Sequence, residues 1–271
     1  MHSEKLIQTV ARITRDLWDK GWIEANGGNC SIRLNKEEKA GFKSTLPDIP
    51  ISLARAYPEL AGEVLLITGS GKFLRNIELN PLENIGFIKI NESGNAYSIA
   101  HGFTDGGQPT SELPTHLSSH ALIKESGNHV VLHCHATNLV TLTCVKELTT
   151  PILSKMIWQL QSESVLVFPQ GIEFIPWQIS STLEIGEKTA QALKKRTLAL
   201  WQYHGVFATG KDSDEALGRI HVAEKAAEIY LKAKSAGGIH SVLSDQQLVA
   251  MADYFNLDYD RAIMDTKTDL K

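Results

Sequence analysis

Residues 130–138, VVLHCHATN, place two histidines two positions apart at the end of an apolar run. Alternate residues of a strand share a face, so His133 and His135 point one way and Cys134 the other. Two imidazoles on one face can share a cation, at Zn–N distances of ~2.0–2.1 Å for zinc. Such a site needs a third ligand. His204 in WQYHGVF is the best candidate, because it sits at a turn between two apolar runs and precedes a glycine that permits close approach. His101, before Gly102, resembles it and stays open on spacing alone. His116 and His120 stand four apart on an expected helix, with Glu112 one turn earlier on the same face. That face suits packing or support of a neighbouring site better than ligation. His2, His129, His221 and His240 have no partner pattern and read as structural or surface residues.

The familiar settings of such a histidine pair do not fit. A metallo-β-lactamase pattern needs Asp and His where Thr137 and Asn138 stand. A cupin needs Glu where Leu139 and Val140 stand, and no HExxH occurs.

Three short stretches could hold an oxyanion. TGSGK (68–72) is not a Walker motif, since Leu66 and Phe73 stand where that motif needs Gly and Ser or Thr. Its glycine turn still offers backbone N–H groups, with Ser70 and Gly71 at its centre. NGGN (26–29) offers the amides of Asn26 and Asn29 beside a backbone freed by Gly28. Thr110 and Ser111 in PTSELP lie at a helix N-terminus, where anions are favoured. The neighbouring Glu112 reads as a general acid/base beside a bound carbonyl compound, or as a first-turn carboxylate favoured by the helix dipole. Lys72 and Arg75 read as solvated, and no lysine has an obvious buried setting.

The elements that position these residues follow from periodicity. Leu6, Val10, Ile13 and Leu17 recur at helical spacing before Gly21. SIRL (31–34), EVLLITGSG (63–71) and HVVLHCH (129–135) read as strands. FIKI (87–90) and AYSIAHG (96–102) read as a hairpin closed by Asn91–Asn95. A helix follows PTSELP with Pro114 in its first turn. SVLVFP (164–169) is expected as a strand, 183–196 as a helix, and 197–210 as strand, turn and strand. Asp212 with Glu215 opens a long helix to about Ala236 in capping-box fashion, and Ser244 with Gln247 opens a last one. Residues 35–62 read as an irregular excursion and DTKTDLK (265–271) as a frayed tail.

The chain has 271 residues, with 27 basic against 31 acidic side chains and a net charge of −4. No basic excess points to nucleic acid. No apolar run approaches the ~18 residues of a membrane span. Three cysteines form no even disulfide framework, and a reducing cytoplasm is the expected setting. No repeat, flexible linker or GxGxxG after a strand occurs. The expected fold is therefore α/β, one domain over 1–271, with a sheet that is not purely parallel.

KGWIEANGGNCSIRL, ITGSGKFLRN, PTSELPTHLSSH, VVLHCHATNL, VFPQGI and HGVF stand in the order found in the class II aldolase/adducin head family, which the chain resembles from about residue 6 to 255. The resemblance implies an α/β/α sandwich with a largely antiparallel central sheet flanked by helices, and a less certain end from about 257. It implies one Zn²⁺ per subunit on His133, His135 and His204, with Glu112 as acid/base. It implies a phosphate pocket of Asn26, Gly28, Asn29, Ser70, Gly71, Thr110 and Ser111. Glu163 in QSESVLVF, otherwise a solvated residue, matches a second acidic residue that serves a neighbouring subunit, although the loop before it departs from the family pattern. A homotetramer with sites near its interfaces is implied, as is zinc-dependent aldol cleavage of a sugar 1-phosphate. Sister aldolases and a pentose-phosphate epimerase share these motifs. The non-catalytic adducin-like heads are disfavoured by three retained histidines and Glu112.

Overall fold

The structure is a computed structural model that describes residues 2–270. Nine strands form one sheet: β1 (Asn29–Arg33), β2 (Ile51–Ser52), β3 (Val64–Thr68), β4 (Ile85–Ile90), β5 (Ala96–Gly102), β6 (Val130–Cys134), β7 (Ile172–Ile175), β8 (Leu198–Trp201) and β9 (Gly205–Gly210). Their order is β2-β5-β4-β3-β1-β6-β9-β8-β7. Every neighbouring pair is antiparallel except β7 with β8. The helices are α1 (His2–Asp19), α2 (Lys36–Gly41), α3 (Pro81–Asn84), α4 (Leu113–Ile123), α5 (Thr137–Val145), α6 (Thr150–Leu160), α7 (Ser162–Val167), α8 (Leu183–Lys195), α9 (Ser213–Ser235), α10 (Asp245–Tyr254) and α11 (Arg261–Met264).

Alternation sorts the central strands between two helical layers. Cys30, Ile32, Leu66, Leu132, Cys134, Val206 and Ala208 pack with α1, α5, α6 and α9. On the opposite face Leu65 and Ile67 meet Leu117 and Ala121 of α4. Val131, Ala199, Trp201 and Phe207 meet Ile185 and Leu193 of α8 on that same side. Cys134 thus lies in the first layer's core, away from His133, as alternation requires. The expected α/β sandwich with a largely antiparallel sheet is the fold adopted.

Several expectations change. Residues 164–169 are not a strand: Ser162–Val167 is helical, and Phe168 N–H donates to the Ser164 carbonyl. Ser164, Val165 and Phe168 are buried, a spacing of one and four that belongs to a helix face rather than to alternation. The excursion at 35–62 contains α2, where Asn35 and Glu38 form a reciprocal cap. Asp212 accepts from Glu215 N–H, but Glu215 accepts from Lys211 N–H rather than from Asp212, so the cap is one-sided. The Ser244–Gln247 cap is reciprocal as expected. The tail is docked: Leu270 is buried among the first layer's side chains, and Lys146 donates to the Asp269 carbonyl at 2.8 Å. Lys271 lies outside the described residues. One lysine is buried after all: Lys155 on α6 is paired with Asp245 at 2.8 Å and hydrogen-bonded to the Met264 carbonyl, which ties α6 to α10 and α11.

Candidate active site

The strand expected at 31–34 starts two residues earlier, which sets Asn29 opposite His133 across the β1–β6 pair. β9 pairs with the other edge of β6, with Phe207 opposite His133 and Val206 opposite Cys134. The β8–β9 turn, Gln202–His204, therefore stands beside the end of β6. Tyr203 takes φ 59° there, and its N–H donates to Thr143 of α5 at 3.1 Å. Gly205 follows. A Cβ at that position would lie 2.5 Å from the Cys134 carbonyl oxygen and 2.8 Å from His133 Cε1. Only a glycine lets β9 approach β6 so closely beside the two histidines.

The fold brings His133, His135 and His204 together. One nitrogen of each lies within 4.8 Å of the others, and the ring centroids are 5.0–5.2 Å apart. His133 Nδ1 donates to the Val206 carbonyl at 3.1 Å, and His135 Nδ1 donates to Glu24 at 2.7 Å. Each Nδ1–H leaves its Nε2 as a bare lone pair. His133 Nε2 is buried without a hydrogen-bond partner. An orphaned, buried lone pair facing two further imidazoles fits a metal ion, and the outer partners match the support such ligands require. Burial holds His133 well below the usual imidazole range and His204 down to about 4, so both rings stay neutral and able to ligate. His101 is placed elsewhere, with its Nδ1 2.7 Å from Thr45 Oγ1, and it is His204 that stands beside the histidine pair.

Glu112 is the N-cap residue of α4, yet its carboxylate caps nothing. It lies 5% exposed, with Oε2 3.7 Å from His133 Nε2 and Oε1 3.8 Å from His204 Nε2. Asn29 Nδ2 donates to Oε2 at 2.9 Å. Burial pushes this carboxyl up from its ordinary range, while the Asn29 amide and the His135 ring draw it back.

All seven expected oxyanion residues line one cavity of about 170 Å³ with Glu112 and the three histidines: Asn26, Gly28, Asn29, Ser70, Gly71, Thr110 and Ser111. Gly28 has φ 76°, and a Cβ there would lie 2.6 Å from Ile23 Cγ2. A bridge between Gly69 and Pro109 draws the glycine turn against PTSE, and Ser70 N–H donates to the Gln108 carbonyl. A larger groove of about 870 Å³ runs past Arg55, Glu173 and Lys188 but gathers no histidine or cysteine, so the smaller cavity is the candidate.

Sequence reasoning missed Ser180 and Ser181, which line the same cavity. Ser181 donates to Ser111 Oγ at 3.1 Å from a backbone at φ 63°. It missed Glu24 as well. No periodic pattern marks these loop residues. Lys72 pairs with Asp105, and Arg75 stacks 4.5 Å over the Trp18 ring, so both have partners and neither lines the cavity. Glu163 is exposed on α7 and does not line the cavity of its own chain.

Residues 8–231 match the model of the class II aldolase and adducin N-terminal domain. The chain belongs to the class II aldolase and adducin family. Among its relatives in that family, the rhamnulose-1-phosphate aldolase of Yersinia pseudotuberculosis serotype O:1b (strain IP 31758) is 42% identical over 268 residues, covering 97% of this chain and 98% of the relative. That of Yersinia pestis shows the same identity and coverage. The crystal structure of a sugar-phosphate aldolase from Thermotoga maritima superposes with a TM-score of 0.76 at 33% identity, covering 88% of this chain and 98% of that one. An L-fuculose 1-phosphate aldolase shares the fold with a TM-score of 0.62 at 21% identity, covering 93% and 97%. These class II relatives carry the aldolase reading; among the described residues no helix is long and apolar enough to cross a membrane.

Proposed function

We propose that the chain cleaves L-rhamnulose 1-phosphate reversibly to dihydroxyacetone phosphate and L-lactaldehyde. Its class, an aldolase among the carbon–carbon lyases, stands on 42% identity across nearly the whole chain. The observation that carries the mechanism is one small cavity holding three convergent imidazoles, a buried carboxylate and a ring of oxyanion donors.

His133, His135 and His204 would hold one Zn²⁺. Bound there, zinc would supply a Lewis acid that stabilises the negative charge left on the dihydroxyacetone phosphate fragment. The hydroxyls of Ser70, Thr110 and Ser111, the Asn26 amide and the backbone beside Gly28 and Gly71 bind the phosphate. Asn29 lines the same cavity and donates an amide N–H to Glu112. Anchoring at the phosphate sets the C3–C4 bond beside Glu112, and orientation of this kind contributes several kcal/mol, up to ~7–11 for ideally aligned groups. Glu112 holds the proton that C3 receives after cleavage, and removes it in synthesis. Glu163 of a neighbouring copy relays a proton at the C4 oxygen within a homotetramer, and its exposure on α7 supports that reach. A cytoplasmic setting accompanies this reading, supported by three free cysteines.

The test is an aldol-cleavage assay on L-rhamnulose 1-phosphate and L-fuculose 1-phosphate, with and without chelator. Chelator-sensitive release of dihydroxyacetone phosphate from the rhamnulose ester is expected. Preference for the fuculose ester would reassign the sugar, and no release from either would sink the proposal.

A further inference from the structure

Behind the cavity wall, the inward-facing residues of β1 meet α4 in a line of hydrogen bonds. Asn29 Nδ2 donates to Glu112 Oε2 at 2.9 Å. His116 Nε2 lies 2.6 Å from Asn29 Oδ1. His116 Nδ1 lies 2.6 Å from Ser31 Oγ, which lies 2.8 Å from His120 Nε2. All four supporting side chains are buried, with Ser31, His116 and His120 at 0% exposure.

The protons in this line have one consistent arrangement. With Glu112 ionised, the state in which it removes the C3 proton in synthesis, its carboxylate accepts only, so Asn29 must turn its NH₂ toward Glu112 and its oxygen toward His116. That oxygen requires an N–H at His116 Nε2. A neutral His116 then has a bare Nδ1, which accepts from the Ser31 hydroxyl. Ser31 oxygen in turn accepts from His120 Nε2–H. The line ends at His120 Nδ1, a buried nitrogen without a partner. Reversing every bond would face the Asn29 oxygen against the carboxylate and end the line in an orphaned N–H, and orphaned buried donors are the rarer case. Burial keeps His116 down to about 3 and His120 well below the usual range, consistent with two neutral rings.

We propose that His116 is a positioning residue: its Nε2–H fixes the orientation of the Asn29 amide and thereby holds Glu112 against the histidine cluster, with Ser31 and His120 setting its tautomer. This rests on the role of Glu112 stated above. Asn29 is thus more than a phosphate donor. Its amide is the last link of a relay that begins two turns down α4. The spacing 112–116–120 exists because one helix must present both the carboxylate and the ring that steadies it.

The test combines ¹⁵N spectroscopy of histidine-labelled, metal-loaded enzyme with two variants. His116 and His120 are both expected as neutral Nε2–H tautomers. A neutral Nδ1–H tautomer at His116 overturns the proposal. His116→Leu should lower kcat by about tenfold or more with KM within about threefold and metal content unchanged, since small misplacements of a reacting group carry such losses. His116→Gln, which restores an N–H toward Asn29, should recover most of kcat. A metal-replete His116→Leu enzyme with parental kcat, or one that His116→Gln does not improve on, overturns it. Should His116→Leu not fold, Ser31→Ala removes only the hydroxyl; its kcat should fall severalfold with KM unmoved, and an unchanged kcat overturns the proposal. Normal turnover in Glu112→Gln would instead remove Glu112 from its role, while the tautomers would still report on the relay.

Discussion

Two of the three proposed ligands, His133 and His135, have their second ring nitrogen committed to a neighbour. His133 is held by the Val206 carbonyl and a stacked Phe207 ring 4.1 Å away, and His135 by Glu24. His204→Ala is therefore expected to lose the metal with little change in fold, because the two remaining imidazoles leave the set one short. Full metal occupancy in that variant, by elemental analysis, would remove His204 from the set. Glu112→Gln is the complementary case. It keeps the Asn29 contact and the metal but loses acid/base capacity, so kcat should fall by about 10²-fold or more. Steady-state rates near the parent would remove the carboxylate from the chemistry. At this scale the sequence was unusually readable, since two histidines on one strand face and three donor-rich turns announce their chemistry by type. Glu24, Ser180 and Ser181 did not, because a loop residue acquires its role only from what the fold sets beside it.

The helix that locks the site together is α5, which the sequence hid. Its TNLVTLTCV is apolar and β-branched on all sides, without the one-sided pattern that marks a surface helix. Its N-terminus is capped by a buried carboxylate from another helix: Glu224 of α9 accepts from Asn138 N–H, Leu139 N–H and the Asn138 amide, each at 2.8 Å. α5 thus starts just after His135 and ends near Thr143, which holds the turn carrying His204. Glu224→Ala should destabilise the protein by about 2 kcal/mol, because charge-assisted bonds to one buried and one part-buried N–H are lost. It should weaken metal binding in parallel. Chemical denaturation with unchanged midpoint and slope would refute the cap's importance. The strand assigned to 164–169 failed for a related reason: β-branched residues suggested alternation, and only packing on the first layer revealed a helix face. Seven of the nine strands were legible as short apolar runs bounded by turn residues, whereas β2 and β7 and the short buried helices were not.

Across the whole molecule, neutral buried imidazoles impose a pH dependence on stability. In the unfolded chain each titrates near ~6.5. In the folded protein His116 is pushed down to about 3, and His120 lies well below the usual range. The unfolded state therefore binds more protons below pH ~6.5, so stability rises with pH through this window and falls on acidification. Each ring contributes a slope approaching ~1.4 kcal/mol per pH unit. Denaturation curves between pH 7 and 5 should show this loss, and His116→Gln should remove one ring's share. A flat profile would mean the rings are protonated in the native state. The sheet order, with β7 the one parallel edge, came from no sequence pattern; pairing partners distant along the chain depend on tertiary contacts that local periodicity does not encode.

The pairing of β6 with β9 joins residues more than seventy positions apart, and it sets the turn carrying His204 beside the end of β6. A slip of one residue would turn His133 toward α9 and send Cys134 into its place. Capture of the proposed ion during refolding would therefore report the correct docking of distant strands. A chain that has collapsed in the wrong register would remain silent to a metal probe, however native its helices look.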